Sequence, residues 1–168
     1  MGEDMEQADT KHSAAAGAVV LIVVVILLAA YLIGGTMLDV APLYAGLFFA
    51  VYWGNIKKAD LTEWLPAVLG GLGGLLLAWG LVIGKAQYGS AGLLVMLALI
   101  ILALYLDIIQ IMPLVFNASF MTYLTLGGIP AVVAQNDFPM MIVAMLASAA
   151  FFGGFVLMFE RLQKPRGV

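Results

Sequence analysis

Two stretches of this chain, offset by 71 to 74 residues, are variants of one another, and each holds three apolar segments that read as membrane crossings. Three is odd, so a second copy must enter the bilayer from the opposite face and run antiparallel to the first. Leu28, Ala29, Tyr31 and Leu32 answer to Leu102, Ala103, Tyr105 and Leu106. Pro42, Leu43, Phe49 and Tyr52 answer to Pro113, Leu114, Phe120 and Tyr123, while Trp64, Gly70, Gly74 and Gly80 answer to Phe138, Ala144, Ser148 and Gly154. Such inverted repeats occur in many secondary transporters and some channels.

The expected fold is therefore all-α and integral to a membrane, with six transmembrane helices as two inverted three-helix repeats. Composition agrees: 64% of residues are hydrophobic, 10% are charged and the mean hydropathy is +1.11, beyond what a water-soluble core absorbs. The predicted crossings are residues 14–33, 40–53, 65–84, 91–110, 113–129 and 139–159, each bounded by glycine, proline or charge. The second is short, about 21 Å at 1.5 Å per residue. The predicted organisation is an acidic cytoplasmic tail (1–13), a first repeat (14–86), a second repeat (87–160) and a basic cytoplasmic tail (161–168). An acidic N-terminus argues against a cleaved signal peptide, so the first helix is expected to be retained.

Cations test the crossing number. With six crossings, Lys11, Lys57, Lys58, Arg161, Lys164 and Arg166 share one side and Lys85 alone takes the other. The positive-inside rule then puts both termini in the cytoplasm. Five or seven crossings would spoil this segregation. Asp60-Leu61-Thr62-Glu63 has capping-box spacing with Pro66 in the first turn that follows, and Asn136-Asp137 precede Pro139 in the same way.

Small residues recur at four-residue intervals on the third and sixth segments: Gly70, Gly74 and Ala78 on one, Ala144, Ser148 and Gly154 among those on the other. Small side chains let helix backbones approach in lipid, so these two helices are expected to cross, unless the stripe is an oligomer interface. Gly74→Leu should disrupt assembly either way.

No Lys, Arg, Asp, Glu or His lies near the middle of a predicted span, which disfavours strong proton coupling. The candidate solute-pathway residues are Asp39, Asp107, Gln110, Asn117, Ser119, Thr122 and Tyr123. Asp39 and Gln110 each stand three residues before a proline, as helix caps or as symmetric vestibules. Asp107 must face protein, water or the cytoplasmic boundary. The hydroxyls of the fifth segment suit either a pore lining or interhelical bonds. Cysteine is absent, the single His12 lies in the tail, and no metal cluster, nucleophile elbow or nucleotide-binding glycine pattern occurs, so neither cofactor nor enzymatic activity is expected.

The stretch Pro42–Trp53, with Gly46, Phe48, Phe49, Ala50 and Tyr52, the glycine-rich third segment, and Met112-Pro113 through Thr122 resemble a family of small bacterial inner-membrane proteins classed as a domain of unknown function. That family tends to carry glycines where this chain has Leu114 and Asn117. The resemblance implies a multi-span helical fold in the bacterial inner membrane and supplies no substrate. Two functions remain open: a homo-oligomeric channel or facilitator for a small neutral or weakly charged solute, and a non-transporting structural or assembly subunit of a larger membrane complex.

Overall fold

A computed structural model describes residues 14–135 and 137–163, and among them every regular element is helical, with no strand. Helix α1 is Ala14–Met37, whose 24 residues span about 36 Å, enough to cross a hydrocarbon core of roughly 30 Å. It ends by a left-handed turn: Asp39 has φ 55°, and the Val40 N–H reaches back to the Gly35 carbonyl at 2.9 Å, closing carbonyls the helix would leave open.

Helix α2, Tyr44–Val51, widens into a π-helical turn over Tyr52–Ile56. Lys58 and Ala59 then take φ of 54° and 55°, turning the chain toward a short 3-10 turn, Leu61–Glu63. Asp60 caps that turn by accepting from the Thr62 N–H at 2.8 Å and the Thr62 hydroxyl at 2.7 Å. Those bonds hold its carboxyl below the usual carboxylate range. The reciprocal half of the expected capping box does not form, because Glu63 turns away to pair with Lys57 at 3.0 Å. Its counterpart at Asn136 lies outside the described residues.

Helix α3, Trp64–Ile108, is 45 residues long and contains one non-helical residue, Gly89, at φ 59°, ψ −134°. Its arms, 64–88 and 90–108, fold back on each other there. A Cβ on Gly84 would lie 3.0 Å from Met96 Cγ, and one on Gly92 would strike the Gly84 carbonyl. In a straight helix Gly84 and Met96 would be about 18 Å apart. Only glycine readily combines φ 59° with ψ −134°.

The second arm ends as α1 does, with Gln110 at φ 53° three residues before a proline. Helices α4 (Ala118–Gly127), α5 (Pro130–Gln135) and α6 (Phe138–Gln163) complete the chain. The fifth predicted segment is thus broken. Residues 109–117 are irregular up to the Asn117 cap, and α4 ends at Gly127-Gly128.

The two most extensive packings are α4 against α3 and α2 against α6. Their core holds Phe49, Trp53, Leu75, Tyr123, Phe138 and Met145, all buried. Outside it the surface is apolar: Val19 to Ile26 of α1 and Leu94, Val95, Ile101 and Leu102 of the second arm are exposed. Among the described residues, Gly17–Met37, Leu61–Ile108 and Phe138–Leu162 are long and apolar enough to cross a membrane. A molecule whose exposed surface is this apolar is compatible with a membrane location.

One expectation about packing changes. The glycine stripe of α3 receives α4 more than α6: Gly70 faces Asn117, Gly73 faces the Phe120 ring, and Gly74 lies on the α4 backbone at Phe120 and Leu124. Helix α6 reaches the stripe at Met145, beside Gly71. Bulky Phe120 and Tyr123 explain this, since they seat α4 deeply only where the opposing helix has no side chains.

Candidate functional site

Where α4 begins, Asn117 joins three segments. Its backbone is extended (φ −153°, ψ 178°), and its side-chain oxygen accepts from the N–H groups of Ser119 at 2.9 Å and Phe120 at 3.2 Å, an N-cap. Its amide nitrogen donates to the carbonyls of Pro66 and Pro113, each at 3.0 Å. Gly70 leaves room for this amide, because a Cβ there would strike Asn117 Oδ1. Two residues on, the fully buried Ser119 hydroxyl donates to the Ala67 carbonyl at 2.7 Å.

A second cluster forms around Gly46. Tyr123 of α4 donates to the Ala45 carbonyl at 2.6 Å, and Ser148 of α6 donates to the Gly46 carbonyl at 2.6 Å. Tyr31 of α1 donates to the Ala144 carbonyl at 3.1 Å across the face of Gly46, where any Cβ would collide with the phenol oxygen. Trp64 Nε1 donates to the Ala149 carbonyl at 3.0 Å beside Gly153.

These two clusters unite Asn117, Ser119 and Tyr123 of the sequence-predicted pathway, and Gly70, Gly74, Ala144 and Ser148 of the predicted packing residues. The others stand apart. Thr122 donates to the Ala118 carbonyl of its own helix at 2.7 Å. Asp39 and Gln110 are exposed at the two left-handed turns, Asp107 is half-buried near the end of α3, and Gly154 is exposed with open space where a Cβ would go.

Chemically, these hydroxyls are committed. Each Ser or Tyr hydroxyl has one proton, and here it goes to a backbone carbonyl on another helix. Among the described residues no buried side-chain nitrogen or oxygen lacks a partner, and no group of three or more His, Asp or Glu comes together. Sequence reasoning missed Tyr31 and Gly46 as contact residues. Their signal was a small residue at the register of an aromatic hydroxyl on another helix, and it cannot be recognised before the helix pairing is known.

A groove of about 550 Å³ runs between α1 and the α2–α6 pair. Its walls are valines and leucines of α1, Val51 and Trp53, and Phe152, Phe155 and Val156 of α6, with Gly54, Asn55 and Ala59 at the π-helical turn.

What the helices and their contacts define is an all-α protein with helices suited to crossing a membrane. Compared with protein-family models, with curated proteins and with solved structures, the chain finds no match.

Proposed function

We propose that this chain is a non-transporting packing subunit of a bacterial inner-membrane assembly, built as six crossings in two inverted three-helix halves with both termini cytoplasmic. The observation that carries the functional part is the fate of the hydroxyls. Ser119, Tyr123, Ser148 and Tyr31, the hydroxyls at the helix contacts, hold neighbouring helices by their backbone carbonyls. A conduit would need such groups free to replace water around a solute.

Three features support the inverted arrangement. Corresponding helices end alike, at Asp39 and Gln110, with φ of 55° and 53°. The two main packings, α2 with α6 and α4 with the first arm of α3, exchange under the 71- and 74-residue offsets. Elements assigned to one side also meet: Asn117 bonds to Pro66, and the Tyr44 hydroxyl lies 3.4 Å from Gln135 Oε1.

The test is purification from the native membrane in mild detergent. A stoichiometric partner of different sequence, with no protein-dependent flux of small amides, alcohols or monovalent ions in liposomes, is the expected result; flux abolished by Asn117→Leu would overturn it. Because the chain has no cysteine, single cysteines at Lys58 and Lys85 test the topology, and labelling of both from one side would sink the six-crossing assignment.

One observation favours the second reading, a homo-oligomeric facilitator for a small neutral or weakly charged solute. Helices α2 and α4, at 8 and 10 residues, supply only part of the second and fifth crossings, and each lies against the third helix of the other half. Discontinuous helices at a repeat interface form the binding site in many secondary transporters.

A further inference from the structure

We propose that the groove between α1 and the α2–α6 pair is a lipid site, holding one acyl chain of an anionic phospholipid whose headgroup meets Lys58. Its volume of about 550 Å³ falls in the range of small-molecule sites, roughly 300–1,000 Å³. Its walls, from Val24 and Leu28 to Phe152 and Phe155, offer water few of the two to four polar partners it needs. Val20, Val23, Val24 and Val51 line the groove and are also exposed, so it opens sideways, where a bilayer presents acyl chains.

The polar end is at the π-helical turn, where Gly54, Asn55 and Ala59 line the groove. Lys58 is next to Ala59, exposed, and in no ion pair among the described residues. Neighbouring charges are already engaged: Lys57 with Glu63, and Asp60 with both donors of Thr62. An exposed lysine next to a lining residue at the polar end of an apolar slot suits a phosphate-bearing headgroup. A lysine near an anionic lipid surface is worth about 1 kcal/mol, roughly a fivefold preference. The site requires only that α1 and α6 lie in a bilayer, and it is independent of whether the chain conducts solute.

Gly54 allows a clean perturbation. It lines the groove, and nothing lies within 4 Å of a Cβ built there, so a side chain has room to start from this position. Gly34, whose Cβ position is equally open, lies outside the groove and serves as control. The full chain in mild detergent is titrated with phosphatidylglycerol or phosphatidylcholine of identical acyl chains, and bound lipid is counted by native mass spectrometry. The wild type should retain phosphatidylglycerol about fivefold better, and Lys58→Gln should erase that preference without weakening phosphatidylcholine. Gly54→Leu should lower retention of both lipids several-fold while Gly34→Leu leaves it unchanged, with circular dichroism confirming that all four proteins are folded. Equal retention of the two lipids by the wild type overturns the headgroup assignment, and wild-type binding by Gly54→Leu overturns the site. Should Gly54→Leu fail to fold, Lys58→Gln decides alone: an undiminished preference sinks the proposal.

Discussion

Replacing Gly74 by alanine tests the packing of α4 on α3 directly. A Cβ at this position would lie 2.8 Å from the Leu124 nitrogen and closer still to the Phe120 carbonyl oxygen. Both are backbone atoms, so no side chain can swing aside. Ordinary contact begins near 3.4 Å, and α4 must withdraw by about 0.6 Å or more, enough to forfeit a quarter to a half of the dispersion energy along the contact. The same withdrawal stretches the 2.7 Å bond from Ser119 to Ala67, and interhelical bonds in membrane proteins average about 0.6 kcal/mol. Overpacking a well-filled interior costs about 1–3 kcal/mol, against a gain of up to about 1 kcal/mol in helix propensity. The net expectation is a loss of about 1–2 kcal/mol. Gly154→Ala is the matched control, because nothing lies within 4 Å of its Cβ and only the propensity gain applies. Unfolding of both variants in mixed micelles at increasing dodecyl sulfate fraction measures the difference. If Gly74→Ala is as stable as Gly154→Ala, the close approach of α4 to α3 is wrong. Gly74→Leu should abolish assembly.

Other perturbations have definite signs. Ser148→Ala removes the bond to the Gly46 carbonyl and should cost about 0.6 kcal/mol, up to about 1.7, in the same micellar unfolding. Ala59→Gly should stabilise the chain by about 1 kcal/mol, because alanine at φ 55° carries a left-handed penalty that glycine avoids. Asp60 has its folded pKa lowered by the Thr62 hydroxyl and N–H, so its contribution is present above the unfolded value of 3.8 and fades as pH falls through the lower folded value. Asp60→Ala should therefore be less stable than wild type at neutral pH and converge on it in acid, as read from thermal unfolding against pH.

Some of this was legible in the residues and some was not, for reasons that differ by element. Apolar run length and the Gly and Pro boundaries place α1, the two arms of α3 and α6 within a few residues, because a helix in lipid must satisfy its own backbone and so needs a long apolar run. Gly89 falls in the predicted connection between the third and fourth segments. The π-helical turn was invisible, since it follows from how Lys58 and Ala59 reverse the chain and not from the side chains of Tyr52–Ile56. The hydroxyls of Ser119 and Tyr123 were visible, but their acceptors were not, because every residue carries a carbonyl and only the helix pairing selects Ala67 and Ala45. Likewise, the spacing of Gly70 and Gly74 marks a close approach without naming the helix that makes it.

In the proposed inverted arrangement the two halves match in order but not in detail, and the mismatch points to unsatisfied surface. Tyr31 and Tyr105 correspond by the 74-residue offset, yet Tyr31 is 4% exposed and Tyr105 is 57% exposed. The buried hydroxyl of Tyr31 needs Gly46 beneath it, and the residue that answers to Gly46 by the 71-residue offset is Asn117, which is committed to capping α4. A tyrosine on the second arm of α3 therefore has no equivalent slot; that arm meets the first where Gly80 and Gly84 face Met96 and Gly92 faces Gly84. Its remaining face carries Leu94, Ile101 and Leu102 as well as Tyr105, all exposed, with a phenol that hydrocarbon would leave without an acceptor. If the proposed partner subunit docks there, Tyr105→Phe should weaken the co-purified complex while leaving micellar stability unchanged; if Tyr105 sits at the lipid interface instead, complex yield will not respond. Tyr31→Phe should do the opposite, lowering intrinsic stability by the interhelical-bond average of about 0.6 kcal/mol with the complex intact. Equal responses from the two tyrosines would refute the asymmetry argued from their exposures.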